Sequence, residues 1–103
     1  MIVKIDTEAK TISLADADNT EKLHAEVTGS MNPALVDEVI ADNAAGRLVG
    51  PNAYLSVAKL REWAAGNTSD GWDTRFQAML NKAGEQGWMN DDRTYVMAHL
   101  VEA

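Results

Sequence analysis

The sequence predicts an α+β domain in which a small antiparallel sheet packs against three central helices. An N-terminal β-meander and one C-terminal strand would form this sheet. Short runs of alternating apolar and polar residues lie near both ends of the chain, whereas the middle carries apolar residues at helical spacing. The chain has 103 residues, the length of one ordinary domain, so we expect residues 1–103 to form a single compact unit.

The N-terminal strands are predicted from alternation. Residues 2–6 are rich in β-branched side chains, and residues 11–15 place Ile12 and Leu14 on one face. Because only four residues separate these runs, we expect a β-hairpin. Residues 22–28 fit a strand by alternation and a short helix by the spacing of two apolar residues. We interpret them as a third strand because a Val-Thr pair and then Gly-Ser follow.

Three helices are predicted from start and stop signals and from apolar stripes. The first begins at Asn32 and Pro33, an N-cap residue followed by proline in the first turn, and ends at Gly46. The glycines and proline that follow predict a loop, and the second helix covers about residues 53–65. The third helix ends before Gly87. Its apolar face consists of Trp72, Phe76, Met79, Leu80 and Ala83.

The C-terminal segment allows two interpretations. Thr94, Tyr95 and Val96 favour a strand, whereas the residues after Met97 include good helix formers. We interpret residues 94–101 as a strand that pairs with the N-terminal strands and covers an edge of the sheet.

Charge and composition argue against several classes of function. The chain has 9 Lys and Arg against 16 Asp and Glu, a formal net charge of −7, and its basic residues are scattered. Nucleic acids and anionic membranes bind clustered basic residues, so we expect neither as a partner. The absence of cysteine removes disulfides, thiolate metal ligands and cysteine nucleophiles. We see no signal-peptide pattern and no apolar run that could span a membrane, and we expect a cytoplasmic protein.

No motif predicts a catalytic centre. The acidic residues 16–20 begin like a calcium loop but lack its glycine and its final glutamate. The glycine-bearing residues 46–51 do not match a phosphate-binding loop, and no serine lies in a nucleophile elbow. We therefore expect a non-catalytic protein without a cofactor.

His24 and His99 are the candidate titrating ligand residues, since the chain has no other histidine. If both ambiguous segments are strands, and if the strands are neighbours, the two imidazoles could pair on one face beside Glu26 or Glu102. Two histidines and a carboxylate hold metals in other proteins. Because the pair depends on two open strand assignments, adjacency and a shared face, we predict no metal site here.

The leading functional hypothesis is a protein-interaction or accessory module that binds another protein or a second copy of itself. It rests on the aromatic residues that lie outside the regular helical stripes. The alternative is a small-molecule-binding domain or small enzyme whose site lies between sheet and helices. His24, His99, Tyr95 and Trp63 would line that site. A third hypothesis is an acidic antagonist of a DNA-binding protein, which needs a carboxylate stripe such as Asp37, Glu38 and Asp42.

Overall fold

The computed structural model covers residues 1–103 and contains six strands and three helices. In chain order they are β1 (Ile2–Asp6), β2 (Thr11–Ala15), β3 (His24–Thr28), α1 (Pro33–Asp42), β4 (Gly46–Val49), β5 (Asn52–Ser56), α2 (Val57–Ala64), α3 (Trp72–Glu85) and β6 (Tyr95–Glu102).

All six strands belong to one sheet with the order β2-β1-β3-β6-β5-β4. The pairs β1/β2, β4/β5 and β5/β6 are antiparallel, whereas β1/β3 and β3/β6 are parallel. The sheet is therefore mixed, and it curls into a half-barrel. The predicted small antiparallel sheet with strands only at the chain ends is wrong, because strands occur throughout the chain.

One cause of this error is the hairpin formed by β4 and β5, which the sequence analysis assigned to a loop and the start of a helix. Ala53 and Leu55 are fully buried and alternate with half-buried neighbours, so residues 52–56 follow a strand period. The helix starts only at Val57. The side chain of Ser56 caps it by accepting a hydrogen bond from the Lys59 N–H at 3.2 Å.

The second cause is the path of the chain between β2 and β3. A meander would place β2 in the middle, but β1 lies between β2 and β3. The connecting residues 16–23 pass over the start of β1, because Ala15 and His24 both pair with Ile2. The Met1 ammonium group donates hydrogen bonds to Asn19 O at 2.8 Å and Lys22 O at 3.0 Å. Burial of this ammonium group lowers its pKa.

The core lies between the sheet and the helices. Inward-facing strand residues such as Val3, Val27 and Leu55 share one buried cluster with residues of every helix. The predicted apolar face of α3 largely holds, since Trp72, Phe76, Leu80 and Ala83 are buried and Met79 packs against the cluster. The Trp72 and Phe76 rings stack with centroids 4.6 Å apart. The outward-facing strand residues stay half-buried or exposed.

Candidate functional site

A cleft of about 480 Å³ lies between the second half of α3, the residues before β3 and the strand β6. Its volume falls in the range of small-molecule pockets, roughly 300–1,000 Å³. The lining is mixed, with six hydrophobic residues among eleven. These residues are Glu21, Leu23, Asn52, Met79, Lys82, Ala83, Gln86, Trp88, Val96, Met97 and His99.

The cleft opens where β6 changes its neighbour. Near its start, β6 is bonded to the segment that follows α3, through Met97 N–H to Trp88 O at 2.8 Å. Farther along, β6 pairs with β3, and this ladder begins at the pair His24 and His99. The two neighbouring segments diverge from this point, and neither lies beside Ala98. A recess forms between them, with side chains of α3 beneath it.

Trp88 forms one wall of this cleft and is 45% exposed, although tryptophan is usually well buried. Its backbone is fixed on both sides. The Trp88 N–H donates to Ala83 O at 2.9 Å, after Gly87 has turned the chain with φ +78°, and Trp88 O accepts the bond from Met97. The other tryptophans are less exposed: Trp72 is buried and Trp63 is half-buried. Trp88 is therefore the one exposed tryptophan, and its backbone hydrogen bonds hold it in a defined place at the surface.

The opposite wall of the cleft includes Glu21 and Leu23, and the segment 16–23 that carries them is tied to the start of α3. The Asp18 carboxylate accepts hydrogen bonds from Ser69 N–H at 2.8 Å and from Arg75 Nη2 at 3.3 Å. Trp72 Nε1 donates to Ala17 O at 2.7 Å. The backbone hydrogen bond from Ser69 holds the pKa of Asp18 below its ordinary value, and Arg75 acts in the same direction. Both walls are thus held by hydrogen bonds.

His24 and His99 lie side by side on adjacent parallel strands, where they are register partners. Register partners on neighbouring strands point to the same face, and here this is the outward face of the sheet. His24 Nε2 lies 3.9 Å from Glu26 Oε1. Only His99 lines the cleft; His24 lies next to it on the sheet.

Tyr95 and Trp63 lie away from the cleft. Tyr95 borders a shallower recess of about 310 Å³, which Arg61 and Arg93 also line. Trp63 packs against the edge of the core and lines neither recess. The four residues proposed from the sequence therefore do not share one pocket, and their role in ligand binding stays a prediction.

The sequence analysis missed most of the residues that line the cleft. Trp88, Met79, Met97 and Leu23 come from four separate segments of the chain. The one local signal was the tryptophan directly after Gly87, a position where a helix end holds the chain at the surface.

No group of three or more His, Asp or Glu side chains is arranged so that it could hold a metal ion. None of the helices has both the length and the apolar character needed to cross a membrane. Comparison with models of protein families, with curated proteins and with solved structures gave no match.

Proposed function

We propose that this protein is a non-catalytic interaction module that binds a partner protein at the surface around Trp88. The observation that carries the proposal is the 45% exposed indole at the mouth of a partly apolar cleft. Tryptophan, with tyrosine and arginine, is enriched among the residues that dominate protein–protein binding energy.

The surroundings of Trp88 suit a protein partner. Leu23, Met79 and Met97 supply apolar contact area in the cleft, and unbranched methionines adapt to the shape of an inserted side chain. Asn52, Gln86 and other polar residues surround this centre, as at the rims of protein interfaces. The partner would insert one apolar side chain beside the indole.

The backbone bonds to Ala83 and Met97 support affinity as well as position. A side chain whose backbone is already fixed loses less conformational entropy on binding than one on a mobile loop. The net charge of −7 favours a basic partner through long-range attraction.

The test compares the unaltered protein with Trp88→Ala in binding to a partner isolated from native extract and then purified. We expect the substitution to weaken binding about thirtyfold, which corresponds to about 2 kcal/mol. The matched control is Tyr95→Ala, because Tyr95 is also aromatic and exposed but lies outside the cleft. Equal affinity of Trp88→Ala and unaltered protein, with both variants folded, would refute the proposal.

A second copy of the chain is one partner that this proposal allows. Sedimentation over a range of concentrations tests it, because a dimer built on this surface must dissociate more readily after Trp88→Ala. If the protein sediments as a monomer at every concentration, the partner must be a different protein.

A second candidate function is the binding of a small molecule in the same cleft, which its volume of about 480 Å³ favours. A planar, largely apolar compound would contact the Trp88 indole, with Asn52 and His99 at its polar edge. Screening small aromatic compounds by the methyl NMR signals of Met79 and Met97 tests this candidate. Unchanged methyl signals across the screen would count against it.

A further inference from the structure

The outward face of the sheet carries a pair of histidines, of which only His99 also lines the cleft. His24 and His99 are register partners on β3 and β6, so their Cα atoms are separated by one strand spacing, about 4.8 Å. Their side chains leave the sheet in the same direction. The side chain of His24 is 35% exposed, and His99 is exposed. Both imidazoles are therefore open to ions in solution.

We propose that His24 and His99 together bind one divalent transition-metal ion of the copper, nickel and zinc class. Imidazole nitrogen is a preferred ligand of these ions, and a metal–nitrogen bond is about 2.0–2.1 Å long. Two nitrogens on one ion with an angle of about 90–110° between them are then about 2.8–3.4 Å apart. This separation is shorter than the strand spacing, so the two rings need only lean towards each other.

The surroundings of the pair favour this binding. Glu26 lies on the same face of β3, with its Oε1 atom 3.9 Å from His24 Nε2. A carboxylate beside a ligating histidine accepts a hydrogen bond from the N–H of the second ring nitrogen and orients the ring. Water completes the coordination, because no third His, Asp or Glu side chain converges with the pair. The site therefore has open positions and a modest affinity.

Adjacency and a shared face were the conditions that the sequence alone left open. Residues 24–28 and 95–102 are both strands, the strands are neighbours, and the histidines occupy one register position. We predicted no metal site from the sequence because nothing there showed that these conditions are met. The structure shows that the strands are neighbours and that the two histidines share a face.

The test is calorimetric titration of the full chain with CuCl₂ and, separately, with ZnCl₂. We expect one ion per chain. Loss of either ligand converts chelation into binding by a single imidazole, so His24→Gln and His99→Gln should each weaken Cu²⁺ binding about tenfold or more. The matched control is Asp92→Asn, which removes a charge from the adjacent exposed carboxylates Asp91 and Asp92. It should leave the affinity unchanged.

Electron paramagnetic resonance of the Cu²⁺ complex supplies a readout that does not depend on affinity. We expect nitrogen hyperfine splitting from two imidazoles in the unaltered protein and from one in each variant. Absence of binding by the unaltered protein overturns the proposal. Equal binding by a folded double variant that lacks both histidines overturns it too, as does a spectrum with oxygen ligands only.

Discussion

Gly46 is the residue at which the fold depends most directly on one backbone conformation. It begins β4 with φ +135°, a conformation that side-chain-bearing residues rarely adopt. A Cβ atom there would collide with the carbonyl oxygen of Tyr54 on the paired strand β5. The close approach of the two backbones thus requires glycine at position 46. The sequence analysis had explained this glycine only as the residue that ends the first helix.

We predict that Gly46→Ala lowers the free energy of unfolding by about 3 kcal/mol or more, since strain and collision add. Gly50→Ala is the matched control: its φ is +58°, but an added Cβ there meets no atom within 4 Å. The left-handed conformation alone costs about 1 kcal/mol. Urea denaturation of both variants measures the difference, and equal losses would contradict the collision at Gly46.

A single residue, Asp18, also determines how the stability of the segment beside the cleft responds to acid. The pKa of Asp18 is lowered in the folded state, chiefly by the Ser69 N–H. A carboxyl group with a depressed folded pKa stabilises the fold above its unfolded pKa, near 3.9, and that contribution is lost as the pH falls towards the folded pKa.

We therefore predict that the difference in the free energy of unfolding between the unaltered protein and Asp18→Asn is largest at neutral pH. It should shrink as the pH falls below about 4, because the unfolded chain then takes up a proton at this carboxyl that the folded protein, with its lowered pKa, binds only at lower pH. Thermal melts at matched ionic strength measure it. Asp70→Asn, which changes a nearby exposed carboxylate, controls for net charge. A difference that does not change between pH 6 and pH 3 would show that the hydrogen bonds of Asp18 do not stabilise the fold.

At the scale of elements, the sequence reveals helices and strands that depend on neighbouring residues, but it does not reveal pairings that depend on distant segments. The apolar stripe of α3 and the Asn32-Pro33 start of α1 depend on residues within a few positions of one another, and both were predicted. The hairpin of β4 and β5 was missed because Gly50 and Pro51 fit a loop as well as a turn. The parallel pairs of β3 depend on contacts between distant segments that no local pattern records.

The cleft was not predictable for the same reason. It exists because β6 exchanges one neighbour for another near Ala98, and this exchange depends on the paths of three separate segments. The sequence could place His24 and His99 on strands. It could not show that one of them lines a pocket and the other does not.

The sheet has two edge strands, and α1 protects one of them. Leu48 on β4 donates its N–H to the Asp37 carboxylate of α1 at 2.8 Å. An edge N–H satisfied by a side chain is unavailable for pairing with another molecule. Asp37 had been considered only as part of an acidic stripe; the structure gives it a partner within the fold.

We predict that Asp37→Ala destabilises the protein by about 1–2 kcal/mol, because a partly buried N–H loses its acceptor. Glu38→Ala is the matched control, since Glu38 is the exposed neighbour on the same helix and its side chain makes no hydrogen bond or ion pair. It should change stability by less than about 0.5 kcal/mol. Chemical denaturation compares the two variants. Equal effects would mean that the hydrogen bond between Leu48 N–H and the Asp37 carboxylate does not stabilise the fold.

At the scale of the whole molecule, the strand order predicts where the backbone opens last. Strands β1, β3, β6 and β5 lie in the interior of the sheet, and each has neighbours on both sides. The inward residues of β1 and β3, such as Val3 and Val27, are fully buried. Strands β2 and β4 are edges. Amide protection follows the free energy of local opening, which is highest where backbone bonds and buried contacts coincide.

We therefore predict that hydrogen exchange is slowest at the hydrogen-bonded amides of the four interior strands, β1, β3, β5 and β6, and at least about tenfold faster in the edge strands β2 and β4. Site-resolved exchange by NMR at constant pH measures it. The order distinguishes the observed sheet from an N-terminal meander, in which β2 would be the central strand and exchange slowly. Protection of Thr11–Ala15 equal to that of Ile2–Asp6 would contradict the mixed topology, and with it the register that brings His24 beside His99.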